Sequence, residues 1–207
     1  MRPIVALAIS AVVVAAVIGA GVGIDWAISP HPPAAFATCR TASQLAPNRY
    51  TAPPPMCIDT GKTYTGTLKT TKGDVTVNFL TRQTPTTVNN FIVLAENGYF
   101  NGLPFFHSLD WVIQSGDPQG NGQGGPGYTL PPEPPAADEQ WSPGSMGMAR
   151  FPDGSISGSQ FFILKQSWPG GDPTTVYNHF ATVTLGFDVV SQLTASDRIL
   201  SVSIKRA

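Results

Sequence analysis

Gly144 to Leu164 reads GSMGMARFPDGSISGSQFFIL. Two apolar runs, Gly144–Ala149 and Ser159–Leu164, stand on either side of a polar centre punctuated by Pro152, Asp153 and Gly154. Short apolar runs bounded by Gly and Pro read as strands.

The neighbouring segments follow the same pattern. "FFHSL" and "WVIQS", inside Pro104–Pro118, precede the pair, and "HFATV" follows it as a further strand. Thr63 to Leu80 reads as two Thr- and Val-rich strands joined by a turn at Lys72, Gly73 and Asp74, with Val75, Val77 and Phe79 alternating onto one face. "TPTTVNNFIVLAENGYF" differs, because Val88, Phe91, Ile92 and Ala95 recur at helical spacing, with Thr residues to cap the start and Asn97-Gly98 to stop it. A second short helix is expected over Phe187–Leu193, and Leu200, Val202 and Ile204 alternate in a closing strand. Many strands with two helices predict a mostly β fold, a closed sheet with capped ends.

Composition bounds the function. The chain has 207 residues, 42% hydrophobic, enough for one domain with a core and an extra segment. A net charge of −1 and only 12 Lys and Arg leave no basic stripe, so no nucleic-acid partner is expected. The 21 Gly and 20 Pro fall between apolar runs, as many short strands require.

The N-terminus carries a separate signal. Pro3 to Ile24 contains no charged side chain. A helix of about 22 residues would be roughly 33 Å long and would span a bilayer. Arg2 before it and Asp25 after it orient the rest of the chain outward. Residues 1–27 are therefore read as a single-pass anchor, with cleavage near "AAFA" (Ala34–Ala37) and secretion as the alternative. Residues 28–59, rich in Pro and Ala, are read as an extracytoplasmic stalk, and residues 60–207 as the folded domain. Cys39 and Cys57 are the only cysteines, and export allows them to pair, closing a loop of about 18 residues. Two cysteines without neighbouring histidines do not make a zinc site, and no metal is expected.

Three familiar patterns fail on their chemistry. Gly120, Gly122 and Gly125 match a dinucleotide-binding spacing, but Gly124, Pro126 and Gly127 prevent the helix that must hold the pyrophosphate. His107 and Ser108 are strand neighbours whose side chains point to opposite faces, so they do not form a nucleophile–base pair. "GSISG" (Gly154–Gly158) has Ile156 where a nucleophile elbow needs Ser.

From Thr63 onward the order of motifs resembles the cyclophilin family of peptidyl-prolyl cis-trans isomerases. "TVNNFIVLAENGYFNG" is similar to the family's first helix and its exit. "FFHS…WVIQSGDP…GNGQGGPGY" is similar to its central strand pair and glycine loop, and "GSMGMAR…SGSQFFIL" to its most specific signature. The resemblance implies a closed eight-stranded antiparallel barrel with two capping helices and an outer groove that grips a prolyl residue. The reaction it implies is rotation about an X-Pro bond, whose uncatalysed barrier is about 18–20 kcal/mol. No covalent bond breaks, so no cofactor is expected. Proline-containing peptides and unfolded exported proteins are the implied partners, and a monomer on the outer side of a bacterial membrane is the implied arrangement.

Carried over residue by residue, Phe162 would floor the proline pocket, with Trp111 and Val112 on its walls. Gln114 would position the substrate backbone, Ala149 and Arg150 would offer groups to the peptide, and Gln160 and His107 would line the groove. Trp168 and Tyr177 would form the rim. One position departs from the family pattern. The arginine that donates to the prolyl nitrogen is replaced by Ser108, in a connection to Trp111 that is about two residues shorter. A serine hydroxyl does not supply a guanidinium fork. Ser108 is thus the altered catalytic position, weakened activity is expected, and Ser108→Arg is expected to raise it.

Overall fold

Each predicted strand forms, and a short one at Thr129–Leu130 was not expected. β1 (Tyr64–Thr70) and β2 (Gly73–Phe79) pair antiparallel, and Val75, Val77 and Phe79 are all buried on one face. The Thr70 hydroxyl tightens their turn by donating to the Gly73 carbonyl at 2.7 Å. Helix α1 (Pro85–Glu96) follows, with Val88, Phe91, Ile92 and Ala95 buried. It ends at Asn97, and Gly98 then takes a left-handed φ of 71° that suits glycine. Then come β3 (His107–Ser108), β4 (Val112–Ser115), β5 (Thr129–Leu130), β6 (Ser145–Arg150), β7 (Ile156–Leu164) and β8 (His179–Leu185). Helix α2 (Phe187–Gln192) and β9 (Ile199–Arg206) complete the chain.

These elements belong to a computed structural model that describes residues 48–50, 52–135, 141–169 and 177–206. The expected anchor (1–27), the stalk as far as residue 47, and Cys39 lie outside the described residues, as do positions 170–176 after Trp168. Among the described residues no helix is long and apolar enough to cross a membrane, and Cys57 carries no free thiol.

The sheet is a single antiparallel path in the order β3-β4-β7-β6-β8-β2-β1-β9, with β5 alongside β7. It is a curled half-barrel of nine strands, not the closed eight-stranded barrel expected. Its ends, β3 and β9, share no ladder. They are drawn together by a bridge between Pro104 and Arg198 and by bonds from Gly102 N–H to the Ile199 carbonyl (2.7 Å) and Phe105 N–H to the Asp197 carbonyl (3.0 Å). Proline at 104 brings no N–H, and β3 is only two residues long, so this seam does not extend into a strand pair.

The closing strand also differs from its simple alternation. Thr70 opposes Ile199 while Lys69 opposes Ser201, a bulge that leaves Leu200 without a partner. Ile199 and Val202 are buried and Leu200 is exposed.

The core lies between the sheet and α1. Phe91 meets Phe100 at 4.6 Å between ring centres, Phe180 at 5.1 Å and Phe161 at 5.5 Å. Segments upstream of Thr60 pack on this body as well. Tyr50 is buried with its N–H donating to Pro126, and the Asn89 side-chain oxygen accepts from Cys57 and Ile58 N–H. The packed unit therefore reaches back to residue 50, beyond the boundary that composition suggested.

Strand β7 sets up the site. It lies between β4 and β6, so both of its edges are paired, and with apolar clusters on its two faces every residue in it is buried. Phe161 and Ile163 point into the main core, whereas Phe162 and Leu164 join Val112 in a second cluster on the outer face, with Trp111, Trp141, Trp168 and Tyr177 packed against it.

Candidate functional site

The second cluster surrounds a concave pocket of about 150 Å³. Phe162 comes from β7, Val112 and Gln114 from β4, Trp111 from the turn before β4, and His107 from β3. Ala149 and Arg150 come from the end of β6, and Trp168 and Tyr177 from the segments after β7 and before β8. Residues far apart in sequence converge because β4, β7 and β6 are successive neighbours in the sheet.

Ring packing gives the pocket its form. Phe162 meets Tyr177 edge-on at 5.4 Å and 85°, and Trp111 meets Trp168 edge-on at 5.4 Å and 70°. Such perpendicular contacts match the quadrupoles of the rings and leave flat faces for an apolar guest. Gly147 makes this possible. A β-carbon there would collide with the Phe162 ring and stand 2.8 Å from Trp141 Cη2, so only glycine lets both rings lie against β6.

The polar wall is equally determined. Gln160 Nε2 donates to the carbonyls of Gly124 (2.7 Å) and Gly122 (3.0 Å), which forces its side-chain oxygen toward Gln114. That oxygen accepts from Gln114 Nε2 at 3.0 Å. The outcome is a Gln114 held with its amide oxygen presented as an acceptor. Gln160 itself is buried and acts from behind Gln114, not as part of the pocket surface. Arg150 is held by its Nε, which donates to the Gly154 carbonyl at 3.1 Å.

Ser108 is placed apart from these groups. In the β3–β4 pairing, His107 opposes Gln114 and Ser108 opposes Ile113. Opposed residues share a face, so His107 lies on the pocket side with Gln114, and Ser108 lies on the core side with the buried Ile113. The Ser108 hydroxyl accepts from Lys165 Nζ at 3.2 Å, and Lys165 Nζ also donates to the Leu193 carbonyl at 2.7 Å. Burial holds the Lys165 ammonium below the usual lysine range, partly offset by Asp110. Ser108 is not among the residues that line the pocket.

Trp141 is the site residue that sequence reasoning missed. It packs on Phe162 at 5.6 Å, Trp168 at 6.0 Å and His179 at 4.6 Å, bracing the pocket floor. The available signal was a large aromatic in an otherwise polar, Pro-containing connection.

The glycine loop forms no phosphate cradle. The buried Asp117 carboxylate accepts from the N–H groups of Gln119 (2.7 Å), Asn121 (3.0 Å) and Gly122 (2.6 Å), so the loop's donors serve an internal anion. Among the described residues no cluster of three or more His, Cys, Asp or Glu is placed to hold a metal.

Comparisons with known proteins agree with this geometry. The family described as cyclophilin type peptidyl-prolyl cis-trans isomerase matches residues 65–206. A peptidyl-prolyl cis-trans isomerase of Synechococcus elongatus is 36% identical over 138 residues, covering 66% of this chain and 93% of that protein. Peptidyl-prolyl cis-trans isomerase B of Bacillus subtilis is 34% identical, over 58% of this chain and 83% of its own. Among solved structures, a Cryptosporidium parvum cyclophilin crystallised in the presence of the dipeptide Ala-Pro superposes with a TM-score of 0.61 at 25% identity, covering 68% of this chain and 98% of that one. The pocket, the strand order and these matches together make the chain a member of the cyclophilin-type peptidyl-prolyl cis-trans isomerases.

Proposed function

We propose that the chain turns over X-Pro bonds of exported proteins slowly, from a position on the outer side of a bacterial membrane. The observation that carries the low turnover is Ser108, which stands where the family pattern has its arginine and whose hydroxyl faces Lys165 and Leu193. The pocket otherwise has what the reaction requires. Phe162, Val112 and the Trp111–Trp168 pair can hold a pyrrolidine ring, while Gln114 and Arg150 can hold the flanking backbone. Tight binding of the ring alone does not accelerate rotation. Catalysis needs interactions that strengthen as the amide leaves planarity. A guanidinium donates about twice as strongly as a neutral group, and a loss of ~3 kcal/mol of selective stabilisation slows turnover about a hundredfold.

The location rests on the charge-free run Pro3–Ile24 behind Arg2, and on two cysteines that suit an oxidising compartment. The expected bridge of Cys39 with Cys57, the single-pass anchor with release by cleavage as its alternative, and a monomeric state belong to the same proposal.

A second reading, a prolyl-peptide binding module with little catalysis, is favoured by Ser108 alone. NMR exchange spectroscopy on an Ala-Pro test peptide separates the two. Acceleration of cis–trans exchange supports the isomerase, with a rate at least tenfold below ordinary cyclophilins expected; a rate equal to theirs overturns the low-turnover proposal, and binding without acceleration supports the module.

A further inference from the structure

The donor that acts on the bound prolyl amide has to come from a side chain on the pocket face, and on β3 that side chain is His107. From the geometry we infer that His107 is a catalytic residue of this enzyme, donating a ring N–H to the prolyl amide in the role that the family pattern assigns to the position of Ser108. The inference rests on the isomerase reading above.

The shortened hairpin carries the argument. Leu109 N–H donates to the Val112 carbonyl at 2.9 Å and closes a tight turn between β3 and β4. This turn fixes the register in which His107 opposes Gln114. A shift of one residue in a β-pair exchanges the two faces, so turn length decides which of two adjacent side chains enters the groove. Here the turn directs His107 outward and commits Ser108 to Lys165 and Leu193.

His107 is suited to the work. It is exposed and lines the pocket beside Trp111, Val112 and Gln114. It stands directly opposite Gln114, and opposed residues of a cross-strand pair normally have Cβ atoms about 4.5–5.5 Å apart. One peptide can therefore be held by Gln114 and reached by His107 together. A ring nitrogen carrying a hydrogen donates in the neutral as well as the charged imidazole. No covalent bond forms or breaks, and His107 keeps its proton throughout the rotation. Arg150 also lines the pocket, but its guanidinium is tied through Nε to the turn at Gly154, on the opposite wall from β3.

The test uses the full chain, an Ala-Pro tetrapeptide, and paired measurements of exchange rate and peptide affinity. Losing one neutral hydrogen bond in the transition state is expected to cost His107→Ala about tenfold in kcat/KM, with peptide affinity changed less than about twofold. His107→Gln, which restores a neutral donor, should recover part of the loss, and His107→Arg should exceed the parent chain. His107 is exposed, so these variants keep the fold, as a circular dichroism melt will verify. Unchanged turnover in His107→Ala, or equal losses of turnover and affinity, overturns the inference while leaving the isomerase reading intact. A parent chain that binds the peptide without accelerating exchange overturns both.

Discussion

Glu133 accepts hydrogen bonds from both the backbone N–H and the hydroxyl of Thr87, at 2.9 and 2.7 Å, across 46 residues of sequence. Its second oxygen accepts from Thr86 N–H at 2.9 Å, so one carboxylate satisfies two of the unpaired donors at the start of α1. A negative charge there also complements the helix dipole. Thr84, which stands at the N-cap, makes no side-chain cap bond and instead donates to the His179 carbonyl at 3.2 Å. Glu133→Ala is expected to lose about 1–2 kcal/mol of stability, the scale of a lost N-cap, seen as a lowered denaturation midpoint. An unchanged midpoint would show that water replaces the carboxylate at no cost.

Gly147→Ala tests the pocket floor. The new methyl group would press on Phe162 and Trp141, whose rings pack on each other at 5.6 Å between centres. Overpacking of this kind typically costs about 1–3 kcal/mol. The expected result is a lowered melting temperature together with weaker peptide binding, measured by titration. Full affinity with normal stability would mean that β6 yields without moving the rings.

Ser108→Arg separates the family resemblance from the geometry. Position 108 faces Lys165, so a guanidinium there brings a second cation against an ammonium that burial already disfavours. The expected outcome is a loss of about 1–3 kcal/mol with no gain in turnover, contrary to what the family resemblance implies. A rise in kcat/KM would show that the arginine bends around the β3 edge into the pocket.

Asp197 supplies an acid-sensitive fastening of the seam. Burial alone would raise its carboxyl, but hydrogen bonds from the Thr71 hydroxyl and the Thr194 N–H and hydroxyl, with Lys72 nearby, outweigh burial and hold it below the usual carboxylate range. A depressed folded-state pKa contributes stability that is fully present above the unfolded value of about 3.9 and is lost as pH falls through the lower folded value. The melting temperatures of the parent and Asp197→Asn should differ most near pH 7 and converge below about pH 4. A gap that does not change with pH would remove the carboxylate from the explanation.

Much of the fold was legible because its signals are local. The alternation of Val75, Val77 and Phe79 and the helical spacing of Val88, Phe91, Ile92 and Ala95 follow from backbone periodicity, and each segment folds as that periodicity requires. The pocket residues on β4, β6 and β7 were legible for a related reason, since their motifs survive as unbroken strings. Leu200 was misread because its exposure depends on a bulge against β1, and a bulge is a property of the pair. Trp141 and Glu133 were missed because their partners lie far away in sequence.

The sequence by itself therefore determined most of the strand and helix content and placed Phe162 and Ser108 in motifs that resemble the family's. Only the tertiary structure decided that Ser108 turns inward and His107 outward. Both residues are legible on one short strand, but the face each takes depends on how β3 registers against β4, and that register is set by a turn whose length matters more than its composition.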